Sequence, residues 1–153
     1  MNSKKEDKMD IRLSNRVEDV IEICKYFRKY EPESDAAVFM KDIIHGFKVG
    51  NVLLMVCLDG KEFRGGVVLT LISPKILWIN FSYVNQDIKG LSKKFMVAIL
   101  RLCKEIGIKK LQTKATQHIV AAEKKFGFTT AYTVIEKIIE EEIKKNDPPK
   151  KGG

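Results

Sequence analysis

The sequence predicts an α+β (mixed α/β) domain: a central mixed sheet made of an antiparallel meander and one βαβ crossover, with flanking helices. Three observations carry this expectation. Three apolar, β-branched runs, "NVLLMVCL", "GVVLTLI" and "ILWINFSYV", follow one another across short turn signals and so pair as an antiparallel meander. An apolar pattern of helical period then runs through Leu91, Phe95, Ala98, Ile99, Leu102, Cys103 and Ile106 and stops at Gly107. Beyond it, "KKLQTKA" reads as a further strand. A strand, a helix of that length and a strand imply a parallel pair, because an antiparallel return would not need the helix.

The other elements follow in chain order. "MDIRL" alternates and reads as a first strand. Asn15 is expected to cap a helix over "VEDVIEICKYFRKY", where Val17, Val20, Ile21, Cys24 and Phe27 recur at helical spacing. "SDAAVFMKDIIHGF" repeats the pattern, with Ser34 or Asp35 as its cap and Gly46 near its end. The meander turns at Asp59-Gly60 and at "SPK". After the crossover, "HIVAAEKKF" is helical, Gly127 ends it, and "TAYTVIEKII" alternates as a closing strand. No repeat or internal linker interrupts this order, so a single domain is expected over residues 9–143. Residues 1–8 and 144–153 are expected to be flexible, since their lysines, prolines and glycines cannot bury enough apolar surface to offset ordering entropy.

Composition narrows the function classes. With 153 residues, 44% hydrophobic and 31% charged, the chain can bury one core. No apolar run approaches the roughly 18 residues of a membrane span, and "MNSKKEDKMD" has no signal-peptide character, so a cytoplasmic protein is expected. Cys24, Cys57 and Cys103 are odd in number and each sits in an apolar pattern, which reads as reduced core cysteine. His45 and His118 have no ligand-spaced partners, so no metal site is expected. The net charge of +8 is almost all lysine, and only Arg12, Arg16, Arg28, Arg64 and Arg101 offer a planar fork. That argues against sequence-specific nucleic-acid reading, while weak nonspecific binding to nucleic acid or an acidic partner stays open.

The most informative stretch is "YVNQDIKGLSKKFMVAIL", in which a strand breaks into a polar loop and an amphipathic helix begins with Lys93 and Lys94 in its first turn. Cations there oppose the helix dipole, which suggests either an anion site or solvated surface lysine. At this point the order of elements from Asp10 to Ile139, together with two local matches, resembles the GNAT superfamily of N-acetyltransferases. In that family a strand ending in valine enters an Arg/Gln-x-x-Gly-x-Gly/Ala loop whose amides hold the pyrophosphate of acetyl-coenzyme A. Here Val84 precedes Asn85, Gln86, Asp87 and Ile88, then Lys89-Gly90-Leu91-Ser92-Lys93-Lys94; Lys89 stands at the basic position and Gly90 at a commonly glycine position. Ser92 and Lys94 occupy the two small positions. The second match is "EKKFGF", Glu123 to Phe128, which resembles the Tyr-x-x-x-Gly-Phe segment after the last helix.

The resemblance implies an acetyl-CoA-dependent N-acetyltransferase acting on an amine, with acetyl-CoA as co-substrate. It implies that Tyr83, Val84 and Asn85 hold the pantetheine and that Lys89, Gly90, Leu91, Ser92, Lys93 and Lys94 hold the pyrophosphate. Thr116 stands where an asparagine often begins the second motif, and Glu123 where many members place the tyrosine that protonates the leaving thiolate. A carboxyl group can donate that proton only if burial raises its pKa well above about 4.3. The replaced glycines and tyrosine keep a second reading open, a catalytically silent binding or structural module of the same fold. A homo-oligomer is compatible with either.

Overall fold

The computed structural model describes residues 9–114. β1 (Met9–Ser14) leads into α1 (Val17–Tyr30) and α2 (Ala36–Val49); β2 (Val52–Asp59), β3 (Glu62–Ser73) and β4 (Ile76–Val84) follow, then α3 (Leu91–Ile106) and β5 (Lys110–Thr113). The expected helix at His118, its stop at Gly127, the closing strand, the domain boundary near residue 143, both chain ends, Thr116 and Glu123 lie outside the described residues.

One sheet carries the strands in the order β1-β2-β3-β4-β5. β1 to β4 pair antiparallel, whereas β5 runs parallel to β4, with Ile76 to Ile79 opposite Lys110 to Thr113. The crossover expected from the helix length is therefore present, and the class is α+β with a mixed sheet.

Alternation along the strands decides which helix covers which face. Leu54, Val56 and Leu58 of β2 turn to one face and pack with Val68 against Val20, Ile23 and Cys24 of α1 and Ile43 of α2. Met55 and Cys57 turn the other way and join Val67, Leu69 and Leu77 under Leu91, Phe95, Ile99 and Cys103, the buried stripe of α3. Burial on both faces explains why β2 reads as an unbroken apolar run. All three cysteines are free and buried as expected, and burial pushes each thiol's pKa up.

Two local expectations are corrected and one is narrowed. Asn15 does not cap α1: the helix spans Val17–Tyr30 as expected, but Arg16 stands at the cap position, its carbonyl accepting from Asp19 and Val20 N–H at 3.1 Å. Ser14 does the organising instead, accepting from Arg16 N–H at 3.1 Å and donating its hydroxyl to the buried Asp19 at 2.6 Å. Gly46 lies near the end of α2 as expected, in its last turn, and the helix closes on the left-handed Gly50 after Val49. Asp35 rather than Ser34 caps that helix, its carboxylate accepting from Ala37 and Val38 N–H at 2.9 and 3.2 Å. Finally, β3 begins at Glu62 instead of Gly66, because a bulge at Arg64 keeps "EFRG" in the ladder, with Phe63 opposite Leu58 and Gly65 opposite Cys57.

Candidate coenzyme and acceptor site

The site is built by two irregularities in β4 and the helix that follows. Phe81 lies opposite Val68 and Ile79 opposite Leu69, so Asn80 is an extra residue, a β-bulge that bends the strand. Pairing of β4 with β5 ends just before it, at Ile79 opposite Thr113, where Thr113 Oγ1 donates to the Ile79 carbonyl at 3.4 Å. Among the described residues, Asn80 to Val84 are paired only on their β3 side. Their other edge presents backbone donors and acceptors of the kind an extended ligand can meet.

The chain then passes through a preformed turn. Asn85 N–H bonds the Arg64 carbonyl at 2.9 Å, Asn85 Oδ1 accepts from Asp87 N–H at 2.9 Å, and Ile88 N–H bonds the Asn85 carbonyl at 3.2 Å. Gly90, at the N-cap of α3, is left-handed with φ 80°, and a Cβ placed there would meet nothing within 4 Å. The glycine thus serves conformation and leaves open space over the helix start. The first helical bond runs from Lys94 N–H to the Gly90 carbonyl at 3.0 Å. No side chain caps the helix and its first turn carries no acid, so among the described residues the Ser92 and Lys93 amides lack an acceptor. Two free amides at the positive end of a helix dipole, flanked by the exposed Lys89, Lys93 and Lys94, form an environment that favours an anion.

The site residues expected from sequence divide by what their side chains do. Leu91 and Val84 belong to the α3-side core, so they offer the site only backbone. Tyr83 points to the opposite face and stacks on Tyr26 with centroids 3.6 Å apart and planes at 6°. Burial first, and then a hydrogen bond to Tyr26, push its pKa up to about 12, so it stays a neutral hydroxyl. Asn85 shapes the loop, while Lys89, Gly90, Ser92, Lys93 and Lys94 converge at the helix start.

Sequence reasoning missed other residues here. A groove of about 520 Å³ between β1 and α3 borders the same helix start, floored by Met9, Ile11 and Val97 and rimmed by Lys93, Lys94 and Arg101. Arg101 could have been found, since it follows Lys94 by seven residues and returns to the same helical face. The bulge at Asn80, whose Oδ1 accepts from the Thr70 hydroxyl, had no sequence signal, although the residue itself stands out in "WINFSYV" as one of the polar groups in place of an acid, because a bulge is a property of pairing. Among the described residues no group of three His, Cys, Asp or Glu could hold a metal ion, and no helix is long and apolar enough to cross a membrane.

No protein-family model matches the sequence, and no curated protein matches it. Solved structures do. A predicted acetyltransferase from Clostridium acetobutylicum, determined with acetyl-CoA, superposes with a TM-score of 0.71 at 14% identity, covering 87% of this chain and 97% of that one. An aminoglycoside N-acetyltransferase in complex with CoA gives 0.66 at 13% identity over 85% of this chain and 93% of that one. The ribosomal-protein-alanine N-acetyltransferase from Brucella melitensis biovar Abortus gives 0.65 at 15% identity over 85% and 98%. At such identities the likeness is one of fold: the chain has a GNAT-like fold, shared with these acetyltransferases.

Proposed function

We propose that the chain is an acetyl-CoA-dependent N-acetyltransferase that transfers an acetyl group to an amine. The observation that supports this best is the edge of β4 at Asn80 to Val84, unpaired among the described residues, which runs directly into a helix start whose Ser92 and Lys93 amides lack an acceptor among those residues. In this reading the Ser92 and Lys93 amides, the Ser92 hydroxyl and the ammonium groups of Lys89, Lys93 and Lys94 hold the pyrophosphate. The free edge of β4 holds the pantetheine amides as an added strand would. Structures of the same fold determined with CoA or a CoA bisubstrate analogue support a coenzyme ligand at the level of the fold.

Chemistry then needs positioning above all. The acceptor nitrogen forms a bond to the thioester carbonyl carbon, the carbon–sulfur bond breaks, the nitrogen loses a proton to solvent or a base, and the departing sulfur takes one up. In this reading the thioester carbonyl lies beside the bulge at Asn80, where the β4 edge bends. Glu123 is proposed as the group that protonates the sulfur, and Thr116 as a contact of the coenzyme; both lie outside the described residues.

Binding tests this reading without a known acceptor. Coenzyme A at about 100 times its dissociation constant should stabilise the fold by roughly 2.7 kcal/mol. For a chain of this length that is a melting shift of about 5 to 10 °C. An unchanged melting curve at millimolar acetyl-CoA would return the lysines of α3 to the surface and put the silent module in place of the enzyme.

A further inference from the structure

On the face of the sheet that carries α1 and α2, a row of side chains crosses three strands. Thr70 of β3 is the pairing partner of Trp78 of β4, and Trp78 is the partner of Gln112 of β5. Leu69, Leu71, Leu77, Ile79 and Leu111, their chain neighbours, all pack on the α3 side, so the three side chains of the row point the other way. Asn80 joins them because the bulge turns it to Thr70, whose hydroxyl donates to Asn80 Oδ1. That bond occupies the carbonyl of the carboxamide and leaves its two N–H donors for another partner.

Among the described residues the row is open to a ligand. Thr70, Trp78 and Gln112 are half-buried, Asn80 is exposed, and the adjoining Ile72 is 55% exposed. Among the described residues, α1 and α2 make their aromatic contacts with β4 further along, where Phe27 and Phe39 meet Phe81 edge-on and Tyr26 stacks on Tyr83. The row therefore forms a shelf beside an aromatic wall and next to the bulge.

The chemistry of the shelf is specific. An indole face carries negative electrostatic character and packs against weakly positive C–H edges. With the Thr70–Asn80 bond made, the Asn80 N–H groups donate, the Thr70 oxygen accepts and the Gln112 carboxamide can do both, a set that matches neighbouring hydroxyls of a ligand. None of the four side chains is ionised, so the shelf offers no counter-charge to a polycation. We infer that the shelf of Thr70, Trp78, Asn80 and Gln112 binds the acyl acceptor, and that this acceptor is an amine carried on a hydroxyl-rich ring of the amino-sugar class. The inference rests on the acetyltransferase reading for the role of the shelf, but its test does not.

Trp78 is the chain's single tryptophan, so its fluorescence reports on the shelf alone. Glucosamine should change that fluorescence saturably in the millimolar range, with or without coenzyme A, while spermine and an alanine tripeptide act more weakly. Gln112→Ala, which keeps the tryptophan, should weaken the response to glucosamine by about fivefold or more through loss of one hydrogen-bonding group. The melting shift caused by coenzyme A should be the same in that variant as in the parent. A stronger response to spermine or to the tripeptide, no response to the sugar, or a Gln112→Ala variant that binds it as the parent does would overturn the assignment. Loss of the coenzyme A shift in the parent would instead overturn the enzymatic reading, so the two failures are distinct.

Discussion

Substituting Gly65 by alanine tests how α3 is seated over the sheet and hence how the candidate anion site is placed. A Cβ at this position would lie 2.8 Å from the Tyr83 carbonyl oxygen, 3.0 Å from Phe95 Cε2 and 3.3 Å from the Val84 Cα. Gly65 pairs with Cys57 on one side and Val84 on the other, so the strand cannot retreat within the sheet. Phe95 is buried against the same core. Overpacking of this kind costs about 1–3 kcal/mol, offset by about 0.5–1 kcal/mol from the lower chain entropy of alanine in a strand. The net loss of about 0.5–2 kcal/mol corresponds to a melting point lower by about 1 to 8 °C, read by circular dichroism. Because the contact is with the ring of Phe95, Phe95→Leu should couple with Gly65→Ala by at least about 0.5 kcal/mol in a double-mutant cycle. A Gly65→Ala protein as stable as its parent, or strictly additive variants, would refute the idea that this close approach sets the height of the helix.

Ser92→Glu should abolish the coenzyme A melting shift, since a carboxylate at the helix start would meet the pyrophosphate as a like charge; a retained shift places the anion elsewhere. Tyr83 should titrate well above the ordinary tyrosine range. Its pKa in the folded state, about 12, lies above the ordinary 10, so it contributes stability that is full below pH 10 and lost as pH rises through 12. Tyrosinate absorbance of Tyr83→Phe should lack the late step, and loss of an early step instead would contradict the stacked, buried placement. Glu123→Gln should reduce acetyl transfer about a hundredfold or more without unfolding the protein, and unchanged turnover would make Glu123 a surface acid.

Much of this architecture was legible in the amino-acid sequence, because it depends on periodicity that each segment carries within itself. The three-stranded meander, the amphipathic stripe Leu91, Phe95, Ile99 and Cys103, and the parallel pairing that a crossover helix requires all follow from local pattern and chain connectivity. So did the lysine-bearing helix start behind Gly90. Tertiary structure alone decided the rest. The bulges at Arg64 and Asn80, the end of β4–β5 pairing at Ile79, the row from Thr70 through Trp78 to Gln112 and the close approach at Gly65 each depend on register between strands. Register is chosen by which faces of distant segments bury together, and a shift of one residue sends every side chain of a strand to the opposite face. The β4 run "WINFSYV" therefore states that a strand exists and that its side chains alternate, whereas only its neighbours determine which face meets α1 and α2 and that Asn80 is the bulged residue.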